Sequence, residues 1–289
     1  MSFAERLKAF LAAEDLPPSF AEAVGAVYAP LAMRVAEAAR RHGPGFVVGL
    51  CGAQGSGKST LVAVLEMLLD DAGLRTATLS LDDFYLPRAD RAALADAVHP
   101  LLATRGVPGT HDVALAVDVV DRLRAGEGAL APRFDKAADT RMADWDRLDG
   151  PTDVILFEGW CVGATPEPAS ALSTPLNALE RERDAAGVWR TYVNEQLAGP
   201  YRALFGRVDM LILLQAPSFE VVLGWRTEQE HKLKARRARE GRGLARAMSD
   251  AEVAAFIAHY ERITRRIQAE MPARVDVVVR LGGDRRPVA

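Results

Sequence analysis

An α/β fold is expected from this sequence, built on a five-stranded, mainly parallel sheet sandwiched by helices. Five short runs are rich in β-branched residues and leucine: "FVVGL" at 46–50, "TATLSL" at 76–81, "VILF" at 154–157, "MLILLQ" at 210–215 and "VDVVV" at 275–279. Runs without polar alternation belong to strands covered on both faces, as parallel strands are. The intervals carry helical patterns, which supply the crossovers that parallel neighbours require. With 289 residues, 49% of them hydrophobic, the chain can bury a sizeable core.

The elements follow in order. Phe3, Leu7, Phe10 and Leu11, then Val24, Val27, Tyr28 and Leu31, recur at helical spacing, with a break at Pro17 and Pro18 and a stop near Gly43-Pro44-Gly45. Residues 1–44 are therefore expected to form a helical N-terminal extension, and 45–289 the main domain. From 83 to 150 the chain is rich in Pro, Gly, Asp and Arg and shows one clear helical pattern, "VALAVDVVDRL" at 113–123. So long a connection within a compact domain is usually functional. A capping box, Ser249 to Glu252, predicts a last long helix reaching about Ala269, with Pro272 just beyond.

Charge and cysteine content narrow the function classes. Thirty-six basic and 39 acidic residues give a net charge of -3 and a pI near 6.0, which disfavours nucleic acid or an anionic membrane as partner and favours a small molecule. Charged residues interrupt "MSFAERLKAFLAAEDLPPSF", so no signal-peptide core is visible, and no apolar run approaches the ~18 residues of a membrane span. Cys51 and Cys161, the two cysteines, read as buried fillers compatible with a reducing, cytoplasmic setting.

One of only five lysines stands in "GAQGSGKS", Gly52 to Ser59, between the first apolar run and the helical "TLVAVLEMLLDD". The stretch fits G-x-x-x-x-G-K-[ST], a loop whose backbone N–H groups and following helix N-terminus attract phosphate oxygens. Gly52, Gln54, Gly55, Ser56, Gly57, Lys58, Ser59 and Thr60 are the expected nucleotide-binding residues, with Lys58 on the β- and γ-phosphates and Ser59 on Mg²⁺. None of the five lysines follows Asn or Thr, so the guanine-reading N/T-K-x-D pattern is absent and a GTPase is disfavoured.

Two further strands end in acids. "SLDDFYL" puts Asp82 and Asp83 at the carboxyl edge of the expected sheet, and "VILFEGW" puts Glu158 there. One carboxylate beside the γ-phosphate can take a proton from an attacking hydroxyl, and another can hold Mg²⁺. The plainer alternatives are a helix cap for the aspartates and a buried ion pair for the glutamate.

Together, "GAQGSGKSTL", "SLDDFYL", "RGVPGTHD", "PRFDKA", "GPTDVILFEGW", "WRTEQE", "MSDAEV" and "DRRPV" resemble the D-glycerate 3-kinase family, P-loop small-molecule kinases related to phosphoribulokinase, uridine kinase and pantothenate kinase. The resemblance covers about 46–287. It implies a P-loop kinase fold, ATP and Mg²⁺ as cofactors, and a small hydroxyl acceptor, D-glycerate, converted to 3-phosphoglycerate. It also implies that Asp82 is the catalytic base and that 83–150 forms the acceptor pocket. That pocket holds Asp83, Tyr85, Arg105, His111, Asp112, Arg133, Asp135, Lys136 and Arg141. A helical lid over about 218–247 brings Arg226 onto the transferring phosphate, although Arg226 and Glu230 also fit a simple helix salt bridge. Arg236, Arg237 and Arg239 read as a solvated basic face. Compared with plant-type members, the segment between Lys136 and Arg141 is shorter, 172–206 is less similar, and 232–247 is a basic insertion. Another small acceptor, or a nucleotide-driven regulatory ATPase, are the alternative readings.

Overall fold

The computed structural model describes residues 2–239 and 248–288, with the side chains of Leu233 and of 236–239 outside the description. The basic insertion and the expected lid therefore lie partly outside the described residues. Three helices lead: α1 (Phe3–Ala13), α2 (Phe20–Ala23) and α3 (Ala29–His42). Ser2 and Glu5 form a capping box on α1, and Gly43 ends α3 with φ 94°. Then β1 (Phe46–Gly52) runs into α4 (Lys58–Asp71), and β2 (Thr76–Ser80) into a 3-10 turn, Leu81–Phe84.

The long connection is more structured than its composition suggests. It contains α5 (Arg88–Ala97), α6 (Val113–Arg124) and four short strands, β3 (Ala129–Ala131), β4 (Phe134–Asp135), β5 (Thr140–Arg141) and β6 (Asp146–Leu148). These strands pair only with one another, β3 with β6 and β4 with β5, both antiparallel. Next come β7 (Val154–Gly159), α7 (Ala178–Arg183), α8 (Val188–Ala198), α9 (Pro200–Phe205) and β8 (Met210–Gln215). The chain continues through α10 (Phe219–Arg239), α11 (Asp250–Ala258), α12 (Glu261–Glu270) and β9 (Val277–Arg280).

All five expected strands form one sheet, in the order β2-β7-β1-β8-β9, and every neighbouring pair is parallel. Every residue of β1 and β7 is buried, as the unbroken apolar runs require, whereas β2 and β9 at the edges are partly exposed. Alternate residues feed two cores. Phe46, Val48 and Leu50 pack with α1, α3 and α4, while Val47 and Cys51 face a second cluster drawn from α6, α8, α9, α11 and α12. No helix among the described residues is long and apolar enough to cross a membrane.

The expected last helix is two helices. The capping box at Ser249 forms, but the chain breaks at His259–Tyr260 before α12. Tyr260 is turned inward there: its ring meets Trp160 edge-on at 4.8 Å and its hydroxyl donates to the Arg105 carbonyl at 3.2 Å. A tertiary contact thus overrides an uninterrupted helical pattern.

Candidate active site

The strand order sets the site. Because β7 and β1 are adjacent and β2 flanks β7, the segments after β2, within β7 and after β1 converge at one carboxyl edge. A cleft of about 340 Å³ opens there. Its floor is the loop between β1 and α4, with Gln54, Gly55, Lys58 and Ser59 on the surface of the cleft.

Local backbone geometry explains that floor. Gly57 takes φ 86°, a left-handed conformation that starts α4 without a side-chain cap, so the first-turn N–H groups of Lys58, Ser59 and Thr60 have no capping partner. The helix dipole adds to the attraction of these groups for an anion. Gly55 has φ 77°, and a Cβ there would stand 2.9 Å from the Cβ of Trp225 on α10. Gly52 ends β1, and Ser56 is buried with its hydroxyl unpartnered. The Lys58 ammonium donates to the Ala53 carbonyl at 3.2 Å.

Glu158 meets this floor from β7. Its Oε1 accepts from Ser80 at 2.9 Å and from Ser59 at 3.4 Å. Two hydroxyls and one carboxylate are hard oxygen donors of the kind Mg²⁺ takes. Among the described residues no three His, Cys, Asp or Glu side chains cluster as a ready-made metal site.

Asp82 faces the floor from the turn after β2. Its Oδ1 accepts from the Tyr85 hydroxyl at 2.8 Å and its Oδ2 from the Lys136 ammonium at 2.6 Å. Burial by itself would raise its pKa, but Lys136 and the Tyr85 hydrogen bond hold it at about 2. The same carboxylate raises the Lys136 pKa against the effect of burial. Arg105 lies alongside, paired with Asp139, donating to the Lys136 carbonyl at 3.2 Å and standing 5.6 Å over Phe134. Asp139 also takes Arg91, which is 1% exposed, at 2.7 Å. From α10, Arg226 also lines the cleft and pairs with Glu230 at 3.0 Å.

Lys58, Ser59, Asp82, Tyr85, Arg105, Lys136, Glu158 and Arg226 therefore share one cleft. Other expected site residues stand behind it. Asp83 accepts from Arg133 at 3.0 Å and from the Phe134 N–H at 3.1 Å. Asp112 caps α6 through the Leu115 N–H at 3.1 Å and takes Arg141 at 3.0 Å. Arg141 also donates to the Tyr85 carbonyl at 3.1 Å, which fastens the turn after β2 to α6. Asp135 accepts the N–H groups of Ala137 and Ala138, shaping the hairpin that carries Lys136.

His111 is buried and stacked on Tyr85 at 4.4 Å. The Gly109 N–H donates to the Tyr201 hydroxyl at 3.0 Å, and the same hydroxyl lies 2.5 Å from His111 Nδ1. Burial lowers the His111 pKa to about 3, which keeps the imidazole neutral.

Sequence reasoning missed Ser80, Gln229, Phe256 and Tyr260, all at or beside the cleft. No local pattern marks them, because each is an ordinary strand or helix residue until the elements pack. Trp160 lines the cleft as well, and its indole N–H donates to the Gly106 carbonyl at 2.8 Å.

The chain is similar to several known proteins. A family model described as methylmalonyl Co-A mutase-associated GTPase MeaB matches residues 21–96, a minority of the chain that includes the phosphate-binding loop. The uncharacterized kinase mug58 of Schizosaccharomyces pombe is 35% identical over 231 residues, covering 76% of this chain and 79% of that protein. The chloroplastic D-glycerate 3-kinase of Arabidopsis thaliana is 33% identical over 231 residues, covering 75% of this chain and 46% of the plant protein. The solved structure of D-glycerate 3-kinase from Cryptococcus neoformans superposes with a TM-score of 0.71 at 26% identity, covering 90% of this chain and 96% of that one. With the fold and a phosphate-binding cleft in place, these likenesses show that the chain belongs to the D-glycerate 3-kinase family of P-loop kinases and is an ATP-dependent small-molecule kinase.

Proposed function

We propose that the protein transfers the γ-phosphoryl group of ATP to a hydroxyl of D-glycerate, giving 3-phosphoglycerate and ADP, in the cytoplasm. The observation that carries this reading is that one cleft is lined both by Lys58 and Ser59, from the loop after β1, and by Asp82, Lys136 and Arg105, from the chain between β2 and β7. A hydroxy acid needs a cation for its carboxylate and an acceptor for its hydroxyl proton, and the second set supplies both.

In the proposed mechanism Lys58 leaves the Ala53 carbonyl for the phosphates, joining the backbone N–H groups of the loop. Ser59 and Glu158 would hold Mg²⁺, which when bound would neutralise charge developing on the phosphate oxygens. Asp82 orients the acceptor hydroxyl and receives its proton as the new P–O bond forms and the bond to ADP breaks. The pKa near 2 belongs to the ligand-free pair with Lys136, so moving that ammonium onto the acceptor makes Asp82 a stronger base as the acceptor binds. Lys136 and Arg105 exchange their aspartate partners for the acceptor carboxylate. Arg226 closes over the transferring group and helps exclude water. Asp83, His111, Asp112, Asp135 and Arg141 serve by holding the turn after β2 and the Lys136 hairpin in place.

ADP release with Mg·ATP, compared across D-glycerate, L-glycerate, pantothenate and uridine, tests the reading. Strong stimulation by D-glycerate with 3-phosphoglycerate as product is expected. Turnover with another acceptor alone, or ATP hydrolysis indifferent to every acceptor, would overturn it.

A further inference from the structure

The C-terminal motif "DRRPV" makes a second set of contacts with the phosphate-binding loop, from outside the cleft. Beyond β9 the chain closes a tight turn: Gly282 N–H donates to the Arg286 carbonyl at 2.8 Å, and Arg285 N–H to the Gly282 carbonyl at 3.0 Å. Arg285 sits in this turn at φ 66°, a left-handed conformation that arginine seldom adopts, so its placement is imposed by the turn. Its guanidinium bridges two elements. Nε donates to the carbonyl of Gly55 at 2.9 Å, while Nη2 reaches Glu228 at 2.6 Å and the Trp225 carbonyl at 3.4 Å. The same guanidinium lies 5.5 Å over the Trp225 ring, whose indole N–H donates to the Gly283 carbonyl at 2.7 Å.

Trp225 is 3% exposed and touches the loop directly, through the close approach to Gly55 described above. The next residue is Arg226, which faces the cleft. A helix cannot move one of two adjacent residues without the other, so whatever fixes Trp225 fixes the reach of Arg226. The planar fork of arginine satisfies a carbonyl on one side and a carboxylate on the other, which a point charge cannot do.

We propose that Arg285 is a positioning residue that locks the phosphate-binding loop to α10 and thereby sets where Arg226 stands over the bound nucleotide. This rests on the assignment of Arg226 to the phosphate, and not on the identity of the acceptor. The guanidinium acts through Gly55 and Trp225 and takes no part in the chemistry.

The test is a double-substitution cycle in the full chain, read as the dissociation constant of a non-hydrolysable ATP analogue with Mg²⁺. Arg285→Ala is expected to weaken the analogue about tenfold, in line with the loss of a charge-assisted hydrogen bond. Combining Arg285→Ala with Arg226→Ala should weaken it little more than Arg226→Ala alone, while a cooperative melting transition shows the fold intact. Losses that multiply in the double variant, or an analogue affinity within about twofold of wild type in Arg285→Ala, would overturn the proposal. Should Arg285→Ala not fold, Arg285→Lys carries the same cycle, because lysine keeps the charge and loses the fork. The readout needs no acceptor, so inactivity toward D-glycerate would defeat the functional reading above and leave this result standing.

Discussion

The two walls of the cleft are held in different ways. The phosphate wall consists of consecutive residues at one strand-to-helix turn, and its binding groups are backbone N–H groups fixed by the conformations of Gly55 and Gly57. The acceptor wall is assembled from separate segments, and its charges already satisfy one another: Asp82 with Lys136 and Arg105 with Asp139. The first wall is organised before ligand arrives and need only release Lys58. The second must exchange partners on binding, so its selectivity comes from which acceptor can replace an internal ion pair.

Substitutions at the two walls should therefore differ in kind. The largest effect is expected from Lys58→Ala, with kcat/KM reduced by about 10³ or more, because no neighbouring group can take over a cation aimed at the transferring phosphate. A fold left intact by melting, with near-normal turnover, would break the contrast between a fixed and an exchangeable wall. Lys136→Ala should lower kcat/KM for D-glycerate by about 10²-fold through a raised acceptor KM, while ATP affinity stays close to wild type. It also removes the ammonium that offsets burial of Asp82, so the carboxylate pKa should rise from about 2 and an acid limb should enter the pH–rate profile.

The smallest expected effect is on stability and falls behind the acceptor wall. His111 has a folded pKa near 3, below its ordinary value of 6.5. Between those values the unfolded chain binds a proton that the folded chain does not. Stability is therefore retained above pH 6.5 and lost as pH falls toward 3. From pH 6.5 to 5 the loss attributable to this group is about 2 kcal/mol. His111→Gln should flatten that part of the pH–stability curve. An unchanged slope in denaturant titrations would show that the buried imidazole does not contribute to it.

Legibility of the site followed the same division. "GAQGSGKS" announced the phosphate wall because its function depends on local backbone conformation, which glycine and helix-start chemistry encode within a few residues. Asp82 and Glu158 were readable because a strand end is also a sheet edge. Arg141 and Asp112 were read toward the acceptor pocket, yet they bond each other and brace the turn after β2, an outcome no spacing rule distinguishes from ligand binding. The helix break at Tyr260 and the clamp of Arg285 on Gly55 depend on partners 155 and 230 residues away in the chain, beyond the reach of any periodicity.

The sequence by itself determined the parallel sheet, the loop that meets phosphate and the acids at the sheet edge. Those features rest on short-range physics: side-chain period, glycine conformation and the unpaired N–H groups of a helix start. Tertiary structure alone decided which of many arginines and aspartates face the cleft and which pair behind it. Long charged side chains carry no directional preference in the sequence, and their partners are chosen by whatever charges packing brings within reach.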